Sequence, residues 1–464
     1  MMTLQQALVW VGSGAVVGDP LLLVKRVHTD TRTLQEGDLF VALKGERFDA
    51  NAFLPDAKRQ GARAAIAHGG LELAGLDGLE VTDSRLALGR LAAGWRAQFD
   101  LPLIAVTGSN GKTTVTQMIA SILRAWKQGD AFSTEGNLNN DIGVPLMLLR
   151  LKPHHSAGVV ELGMNHPGEI SCLADIAQPT VALVNNAQRE HLEFMATVEA
   201  VARENGSVIT SLGEQGIAVF PADDTYTPLW RSLAGSRKVL TFAEAAGTAD
   251  VTGSARWSGN SWTVRAQTPQ GPLDFTLQIA GRHNVKNALA ATACALAAGC
   301  PLTSIAAGLS VFEPVKGRSR ALVIQVGGRP LNLVDDTYNA NPDSMRAAID
   351  VLAELPGPRL LVMGDMGEVG NEGPAFHREA GEYARERGIE KLFALGEQSA
   401  LAASSFGAAR HFTDIDSLNK AVLGELYGLG SVLVKGSRFM KMERTVQAMT
   451  EYTQKNPEGE RHAA

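Results

Sequence analysis

Apolar positions along this chain follow two alternating patterns, one typical of buried strands and one typical of amphipathic helices. Short apolar runs at 103–106, 157–160 and 180–184 predict strands, and each run is followed directly by polar residues. Between the first two runs, apolar residues recur at helical spacing from Val115 to Leu123. This strand-then-helix order predicts a mostly parallel sheet with covering helices over residues 85–314.

The segments on either side predict two further α/β domains. Before residue 85, the run at 37–45 lies between two glycine turns and is the clearest strand. Later strands are predicted at 331–336, 360–365 and 431–436. Since about 150 residues make an ordinary domain, a chain of 464 residues suggests about three. We predict a small N-terminal α/β domain at 1–84, a central domain with a mostly parallel sheet at 85–314 and a Rossmann-like α/β domain at 315–464.

Local signals add detail to this outline. Thr3 followed by Gln6 predicts a capping box at the start of a short helix, and Asn341-Pro342 predicts the start of another. Residues 251–279 alternate between polar and apolar, which predicts an antiparallel hairpin turning at 258–260. The polar residues 456–464 predict a frayed end.

Composition narrows the class of protein. Hydrophobic residues make up 45% of the chain and charged residues 20%, as in globular proteins, and no apolar run is long enough to cross a bilayer. The net charge of −6 argues against a nucleic-acid partner, because phosphate backbones are bound by clustered Lys and Arg. Cys172, Cys294 and Cys300 are too scattered for a disulfide framework or a metal knuckle, so we expect a reducing, cytoplasmic location.

A glycine-rich loop after the first central strand carries the clearest chemical signal. It consists of Thr107, Gly108, Ser109, Asn110, Gly111, Lys112, Thr113 and Thr114. Gly108 and Gly111 allow successive backbone N–H groups to face an anion, and Lys112 adds a positive charge. The positive end of the following helix faces the same place. Although Val106 stands where the usual pattern has glycine, the order strand, loop and helix predicts a nucleoside triphosphate site.

Polar residues after the next strands extend this site. Because the carboxyl ends of parallel strands meet at one edge of a sheet, the loop, Glu161 and Asn185 should converge. The hydroxyl of Thr113 and the carboxylate of Glu161 are hard oxygen ligands of the kind that Mg²⁺ prefers. His191 follows a strand in the same way. A solvated helix cap for Glu161 and a structural role for His191 are the alternatives.

Three more clusters are unusually polar for their positions. Asn284 and Asn287 begin an alanine-rich helix and carry amides suited to a base edge, unless Asn284 only caps the helix. Arg318 offers a guanidinium for phosphate or carboxylate, unless its surroundings are a solvated linker. The paired carboxylates that begin at Asp335 could bind ribose hydroxyls, a metal or an ammonium group, or could cap a helix.

Together these motifs resemble the Mur ligase family, whose members build the cytoplasmic precursor of bacterial peptidoglycan. The resemblance covers nearly the whole chain and rests on segments 107–114, 161–165, 191–193, 284–287, 317–318 and 335–342. Segments 30–32, 37–45, 48–51, 136–140 and 363–368 further resemble the members that add D-alanyl-D-alanine to UDP-N-acetylmuramoyl-tripeptide. The implied reaction is ATP-dependent amide bond formation through an acyl phosphate. The resemblance also implies that the N-terminal domain binds the UDP-sugar, that the central domain binds ATP and that the C-terminal domain closes on the nucleotide.

The resemblance also implies roles for single residues. The catalytic set would be Lys112, Glu161, His191 and Arg318, and Mg²⁺ would be held by Thr113, Glu161 and His191. ATP would contact segment 107–114 together with Asn284, Asn287, Arg318, Asp335 and Asn339. The UDP-sugar peptide and the dipeptide would contact Thr31, Arg32, Lys44, Gly45, Asn51, Asn137, Lys435 and Ser437. We expect small-molecule partners, no nucleic acid, no insertion into a membrane and a monomer.

Asn205 departs from the family pattern. Members commonly carry a lysine, carbamylated in the active enzyme, some residues after the histidine that His191 matches. In segment 202–207 the matching position is Asn205, with no lysine nearby. Because an amide cannot form a carbamate, a second Mg²⁺ would need other oxygens or water, or would bind more weakly.

Three alternative functions stay open. Folylpolyglutamate synthase shares the ATP-binding plan but lacks the N-terminal module that segment 30–51 suggests. Family members that add the third peptide residue share this module, but no basic amino-acid-binding signature follows Asn341-Pro342. The third alternative is a non-catalytic clamp gated by nucleotide. The joint presence of Lys112, Glu161, His191 and Arg318 argues against it.

Overall fold

The structure, a computed structural model, describes residues 1–45, 48–245, 247, 249–258 and 261–455. Its strands form sheets of five, nine and six strands in chain order, with a separate two-stranded pair near the N-terminus. The predicted α/β class is therefore confirmed. No helix in the described ranges combines the length and the apolar character needed to span a membrane. The predicted turn residues Gly259 and Asn260 and the tail 456–464 lie outside the described residues.

The N-terminal domain is built on the five-stranded sheet. Its strands are β1 (Met2–Thr3), β2 (Ala15–Val17), β3 (Leu23–Val24), β4 (Arg26–His28), β5 (Asp38–Val41), β6 (Ala64–Ala67) and β7 (Asp77–Glu80). Its helices are α1 (Leu4–Val11), α2 (Leu54–Arg59), α3 (Leu71–Ala74) and α4 (Ser84–Arg96). The sheet order is β2-β7-β6-β5-β4, and β1 pairs with β3. The predicted capping box of Thr3 and Gln6 begins α1, whereas α4 runs across the predicted boundary at residue 84.

The nine-stranded sheet forms the central domain. Its strands are β8 (Leu103–Thr107), β9 (Ala131–Ser133), β10 (Ala157–Glu161), β11 (Val181–Val184), β12 (Ile217–Pro221), β13 (Lys238–Ala243), β14 (Val251–Ser258), β15 (Ser261–Thr268) and β16 (Gly271–Leu277). Its helices are α5 (Lys112–Lys127), α6 (Gly143–Leu148), α7 (Glu169–Ala177), α8 (Leu192–Met195), α9 (Val198–Thr210), α10 (Thr227–Ala234), α11 (His283–Ala297) and α12 (Leu302–Ser310). The order is β16-β15-β14-β13-β12-β11-β8-β10-β9.

Strand β8 is buried on both faces, because helices cover the sheet on each side. Ile104 and Val106 belong to the core that contains α5 and α11, whereas Leu103 and Ala105 belong to the core that contains α4 and α7. The pairs from β9 to β14 are parallel, and β14, β15 and β16 are antiparallel. The predicted hairpin is thus a three-stranded antiparallel extension at one edge of the sheet.

The six-stranded sheet forms the C-terminal domain. Its strands are β17 (Arg320–Val326), β18 (Arg329–Asp336), β19 (Arg359–Gly364), β20 (Lys391–Leu395), β21 (Arg410–Phe412) and β22 (Ser431–Lys435). Its helices are α13 (Pro342–Ala353), α14 (Gly373–Glu386), α15 (Ser399–Phe406), α16 (Ile415–Glu425) and α17 (Glu443–Lys455). The order is β17-β18-β22-β19-β20-β21, antiparallel only between β17 and β18. Asn341 caps α13 through Ser344, as the sequence predicts. Carboxyl ends of parallel strands from this sheet and from the central sheet open on a common cavity.

Candidate active site

A cavity of about 1010 Å³ lies between the central and C-terminal domains. Lys112, Glu161 and His191 line it from the central domain, and Arg318 lines it from the C-terminal domain. Other predicted site residues on its wall are Ser109, Asn110, Gly111, Thr113, Thr114, Asn137, Asn284, Asn287, Asn339 and Lys435. The structure therefore brings the four predicted catalytic residues to one place.

The glycine-rich loop joins β8 to α5 in the conformation that its glycines allow. Gly108 and Gly111 have φ values of +129° and +82°. A Cβ on Gly111 would come within 2.7 Å of Asn287 Oδ1 and 2.8 Å of Asn185 Nδ2, so a larger residue would displace the side chains behind the loop. The loop can therefore lie close to α11 only with glycine at this position.

Asn205, on α9, supports the first turn of the loop from behind. Its Oδ1 accepts hydrogen bonds from the Thr107 hydroxyl at 2.5 Å and from the Gly108 backbone N–H at 3.0 Å. Asn205 is 1% exposed and Thr107 is fully buried. The side chain at this departure from the family pattern thus orients the loop, and its carbonyl oxygen is already in use.

Lys112 is held by three acceptors. Its Nζ donates to Gly108 O at 2.6 Å, to Ser109 O at 3.1 Å and to Glu190 Oε1 at 2.6 Å. Glu190 is not among the site residues that the sequence pattern predicts. Its position could have indicated a site residue, because Glu190 directly precedes His191 in a segment that follows a strand toward the site.

His191 lies between two carboxylates at the domain boundary. Its Nδ1 is 2.7 Å from Oε2 of Glu368, in the C-terminal domain, and its Nε2 is 3.5 Å from Glu190 Oε1. This close contact with His191 holds the pKa of Glu368 below its usual range. His191 also adopts a left-handed φ of +49°, which is costly for a residue with a side chain and is common at functional sites.

Glu161 is the buried carboxylate at the end of β10. It is 2% exposed, its Oε1 accepts from Asn139 Nδ2 at 2.7 Å, and its backbone N–H donates to the Thr134 hydroxyl at 3.0 Å. In the described part of the chain, no three His, Cys, Asp or Glu side chains already converge as a metal cage. A Mg²⁺ ion at Thr113 and Glu161 would therefore take further oxygens from phosphate and water, as this ion does at nucleotides.

A row of amides connects the loop to α11. Asn185 Nδ2 donates to Asn110 O at 2.8 Å and to Asn287 Oδ1 at 3.0 Å, and Asn287 Nδ2 donates to Asn284 Oδ1 at 2.9 Å. Helix α11 begins at His283, so Asn284 lies within its first turn and does not cap it. The contact of these amides with a nucleotide base stays a prediction.

Arg318 is positioned by a buried carboxylate and an aromatic ring. Asp335 is 1% exposed, and its Oδ2 accepts from the Gly317 N–H at 3.1 Å, at the turn that carries Arg318. The Arg318 guanidinium lies 3.8 Å from the centre of the Tyr338 ring. Asp335 is not among the cavity-lining residues, so the structure shows it supporting Arg318, and its contact with a ligand stays a prediction.

Lys435 and Ser437 are already engaged within the C-terminal domain. Lys435 Nζ donates to Asp336 Oδ2 at 2.6 Å and to Asn339 O at 2.8 Å. Ser437 Oγ accepts from the Gly367 N–H at 2.7 Å and donates to Ala340 O. These bonds shape the wall around Asn339, and direct contact of either side chain with a substrate stays a prediction.

The predicted UDP-sugar residues lie in the N-terminal domain. Lys44 lines a second cavity of about 670 Å³, together with Gly14, His68, Glu80, Val81, Thr82, Asp83 and Ser84. Asn51 donates from Nδ2 to Gly69 O at 2.6 Å and accepts from the His68 N–H, just after the C-terminal end of β6. The Gly45 N–H donates to Phe48 O at 3.0 Å.

Thr31 and Arg32 occupy a short 3₁₀ helix, Thr31–Thr33, and neither lines a cavity described above. Arg32 pairs with Asp30 at 2.7 Å, and its hydrogen bonds lower the pKa of Asp30 to about 2. The side chain of Arg32 is 85% exposed, so it is accessible to a ligand. The contacts of these two residues with a substrate also stay predictions.

Three family models match the chain in succession. The Mur ligase family catalytic domain matches residues 23–96, the Mur ligase middle domain matches 106–295, and the Mur ligase glutamate ligase domain matches 319–438. These matches follow the order of the three sheets along the chain.

Individual relatives match over most of their length. UDP-N-acetylmuramoyl-tripeptide--D-alanyl-D-alanine ligase from Escherichia coli (strain K12) is 44% identical and covers 92% of this chain and 93% of its own. The ligase of the same name from Bacillus subtilis (strain 168) is 33% identical, and the match covers 92% of this chain and 94% of the relative. The crystal structure of MurF from Acinetobacter baumannii superposes with a TM-score of 0.90 at 37% identity, covering 97% and 98%. MurF from Thermotoga maritima in complex with ADP gives a TM-score of 0.82 at 27% identity, covering 95% and 100%. The chain belongs to the Mur ligase family.

Proposed function

We propose that this chain joins D-alanyl-D-alanine to UDP-N-acetylmuramoyl-tripeptide in an ATP-dependent reaction through an acyl phosphate, in the cytoplasm, as a step of peptidoglycan precursor synthesis. The observation that carries the proposal is that Lys112, Glu161, His191 and Arg318, from two domains, line one cavity. The relatives named for this reaction, which match nearly the whole chain, support the same substrates.

The first step brings two anions together. The terminal carboxylate of the peptide attacks the γ-phosphorus of ATP, the bond to the β-phosphate oxygen breaks, and an acyl phosphate and ADP result. Carboxylate and phosphate repel each other, so the positive charges of Lys112 and Arg318 lower the barrier by neutralising the approaching groups. Since Lys112 Nζ is bound to Glu190 in the free protein, Lys112 would exchange this carboxylate for phosphate oxygens when ATP binds, before the transfer.

The second step needs the free amine of D-alanyl-D-alanine at the activated carbonyl. The amine attacks the carbonyl carbon, the tetrahedral intermediate collapses, and inorganic phosphate leaves as the amide forms. Water would hydrolyse the acyl phosphate, so the reaction benefits from a cavity closed between two domains. Asn110 in the loop and Asn341 at the start of α13 contribute to this closure, with Asn341 Nδ2 donating to Asn110 Oδ1 at 2.9 Å.

Thr113, Glu161 and His191 would hold Mg²⁺ beside the phosphates. A hydroxyl, a buried carboxylate and an imidazole on one cavity wall fit such an ion when phosphate oxygens and water complete its shell. When bound, the ion offsets phosphate charge and orients the transferred group.

The remaining assignments come from the resemblance to the family, and Asn284, Asn287, Asn339 and Lys44 also line one of the two cavities. The nucleotide contacts are segment 107–114, Asn284, Asn287, Arg318, Asp335 and Asn339. The N-terminal contacts of the UDP-sugar are Thr31, Arg32, Lys44, Gly45 and Asn51. Asn137, Lys435 and Ser437 would face the peptide and the dipeptide, and the active species would be a monomer.

Phosphate release tests this proposal directly. The purified protein is incubated with ATP, Mg²⁺ and UDP-N-acetylmuramoyl-tripeptide, with and without D-alanyl-D-alanine. Released phosphate is measured, and the mass of the UDP-linked peptide product is determined by mass spectrometry. We expect phosphate release and a pentapeptide product only when all substrates are present. Release with the UDP-dipeptide and a free amino acid would favour the third-residue ligase, release with folate and glutamate would favour folylpolyglutamate synthase, and no release would favour a clamp.

A further inference from the structure

Several positively charged side chains line the cavity between the central and C-terminal domains. Among the described residues, its lysines and arginines are Lys112, Lys286, Arg318, Lys435 and Arg438. The three lysines form ion pairs at 2.6 Å, with Glu190, Asp223 and Asp336 in that order. Arg318 belongs to the expected nucleotide contacts. Arg438 is therefore the positively charged side chain of this cavity to which the proposed reaction gives no task.

Arg438 has a fixed backbone and an open side chain. It follows Ser437, whose Oγ accepts from the Gly367 N–H at 2.7 Å, and the Met440 N–H donates to Ser437 O at 2.9 Å. The Arg438 side chain is 63% exposed, and its guanidinium forms an ion pair with Glu443 at 3.1 Å. Because an ion pair this exposed contributes little stability, an arriving anion can displace Glu443.

Tyr338 places Arg438 next to Arg318 on the cavity wall. The guanidinium carbon of Arg318 lies 3.8 Å from the centre of the Tyr338 ring, and that of Arg438 lies 5.6 Å from the same point. In the proposed reaction Arg318 neutralises the reacting groups, so the activated carbonyl lies beside it. An extended dipeptide spans about 7 Å, so a dipeptide whose amine meets this carbonyl can reach Arg438 with its carboxyl end.

The incoming dipeptide offers one lasting charge for recognition. Its amine must reach the carbonyl uncharged and ends in the new amide bond, whereas its carboxylate stays ionised throughout. A guanidinium binds a carboxylate through two parallel N–H···O hydrogen bonds, which an ammonium group does not match. Lys435 is less suited to this carboxylate, because its side chain is 4% exposed and its charge is balanced by Asp336.

We propose that Arg438 binds the carboxylate of the incoming dipeptide and thereby selects amines that carry a free C-terminal carboxylate. This inference rests on the proposed function, because it takes D-alanyl-D-alanine as the second substrate. It gives Arg438 two successive partners, Glu443 in the free protein and the substrate carboxylate in the complex.

Replacing the substrate carboxylate by a neutral amide tests the inference. D-alanyl-D-alanine and D-alanyl-D-alaninamide are compared in steady-state ligation. Their Kd values are also measured by calorimetry on the full chain loaded with Mg²⁺, UDP-N-acetylmuramoyl-tripeptide and a non-hydrolysable ATP analogue. We expect the wild type to prefer the acid over the amide by about 10–100-fold in kcat/KM and in Kd, as for a hydrogen bond between charged groups. In Arg438→Met the acid should lose this factor through KM while the amide is used as before, so the preference disappears.

Two further variants sharpen the test. Arg438→Lys keeps the charge without the forked geometry and should retain a preference of about tenfold or less. The matched control is Arg444→Met. Arg444 is an exposed arginine that pairs with Asp416 and does not line the described cavity, so this variant should keep the full wild-type preference.

The two substrates separate a binding role of Arg438 from a structural one. An equal loss for acid and amide in Arg438→Met, or a wild type without preference or without dipeptide binding, would overturn the inference. Should Arg438→Met fail to fold, Arg438→Lys decides, and an undiminished preference in it would overturn the inference. Ligation with an unchanged preference in Arg438→Met would overturn this inference alone, whereas a calorimetric preference that depends on Arg438 without any ligation would overturn the proposed reaction alone.

Discussion

Arg189 of the central domain and Asp343 of the C-terminal domain hold the two domains together through paired hydrogen bonds. Nε and Nη2 of Arg189 donate to Oδ1 of Asp343 at 3.0 and 2.6 Å, and the Arg189 backbone N–H donates to Oδ2 at 2.8 Å. The same guanidinium reaches Glu379 Oε2 at 2.8 Å. Because Arg189 directly precedes Glu190 and His191, docking of the C-terminal domain also fixes the segment that carries them.

Arg189→Met should weaken domain docking and slow ligation. The change removes charge-assisted hydrogen bonds from a side chain that is 23% exposed, so we expect a loss of about 2 kcal/mol of docking free energy. The value of kcat should fall about tenfold while the Kd of ATP changes little, because the guanidinium binds the other domain and not the nucleotide loop. Steady-state kinetics and small-angle scattering with all substrates bound measure the two effects.

Arg346→Met is the matched control for this variant. Arg346 donates to Glu379 Oε1 at 3.0 Å but lies on α13, in the same domain as Glu379. It should therefore leave the scattering profile unchanged. An equal expansion in both variants would contradict an interdomain role for Arg189.

Low pH should weaken the contact between Arg189 and Glu379. Hydrogen bonds from Arg189 hold the pKa of Glu379 below its ordinary value of 4.5. A carboxylate with a lowered folded-state pKa stabilises the folded state above its unfolded-state pKa, and this contribution is lost as the pH falls through the lowered pKa. The difference in unfolding free energy between wild type and Glu379→Gln should thus be greatest near neutral pH and should decrease below pH 4.5.

Denaturant unfolding over a pH series measures this difference. Glu382→Gln, at an exposed position on the same helix, serves as the control and should differ from wild type by a constant amount. If Glu379→Gln also differed by a constant amount, the Arg189 contact would not depend on the charge of Glu379.

The sequence predicted those parts of the site whose chemistry is local. The loop, Glu161 and His191 follow strands, and parallel strands place such residues at one edge of a sheet. Glycine at position 111 was a recognisable requirement because a tight loop needs positive φ. The three-domain α/β class followed from the same alternation of strands and helices.

The contacts between distant segments were not predictable in the same way. Asn205 meets Thr107 across 98 positions of the chain, and Arg189 meets Asp343 across 154. No periodicity or motif specifies which polar residue on a later helix will reach back to the loop. Lys435 shows the opposite difficulty, because a polar residue after a strand suggests a ligand contact, whereas its charge is satisfied here by Asp336.

Asn205→Ala should loosen the nucleotide loop. The change removes the acceptor of the Thr107 hydroxyl and of the Gly108 N–H, and two buried donors without a partner cost about 1–3 kcal/mol each. We expect a lower melting temperature and about tenfold weaker nucleotide binding, measured by calorimetry. Thr210→Ala, at an exposed position on the same helix, should change neither quantity. Full nucleotide affinity in Asn205→Ala would show that the loop keeps its conformation without this side chain.

Lys112→Ala should reduce kcat and, separately, the stability of the free protein. Loss of the positive charge at the phosphates should slow ligation about 10²–10³-fold. The same change leaves the carboxylate of Glu190, whose side chain is 10% exposed, without its cation, and breaking such a buried pair costs about 3 kcal/mol. Steady-state assays and denaturant unfolding measure the two losses.

The double variant Lys112→Ala with Glu190→Gln separates these effects. Because glutamine is neutral, it needs no cation, and we expect most of the lost stability to return while ligation stays as slow as in Lys112→Ala. If Lys112→Ala alone were as stable as wild type, then in the free protein either Glu190 would not be charged or Lys112 would not stabilise its charge. Recovery of ligation in the double variant would instead mean that Lys112 serves only to balance Glu190, and that the phosphates are neutralised by other groups such as Arg318.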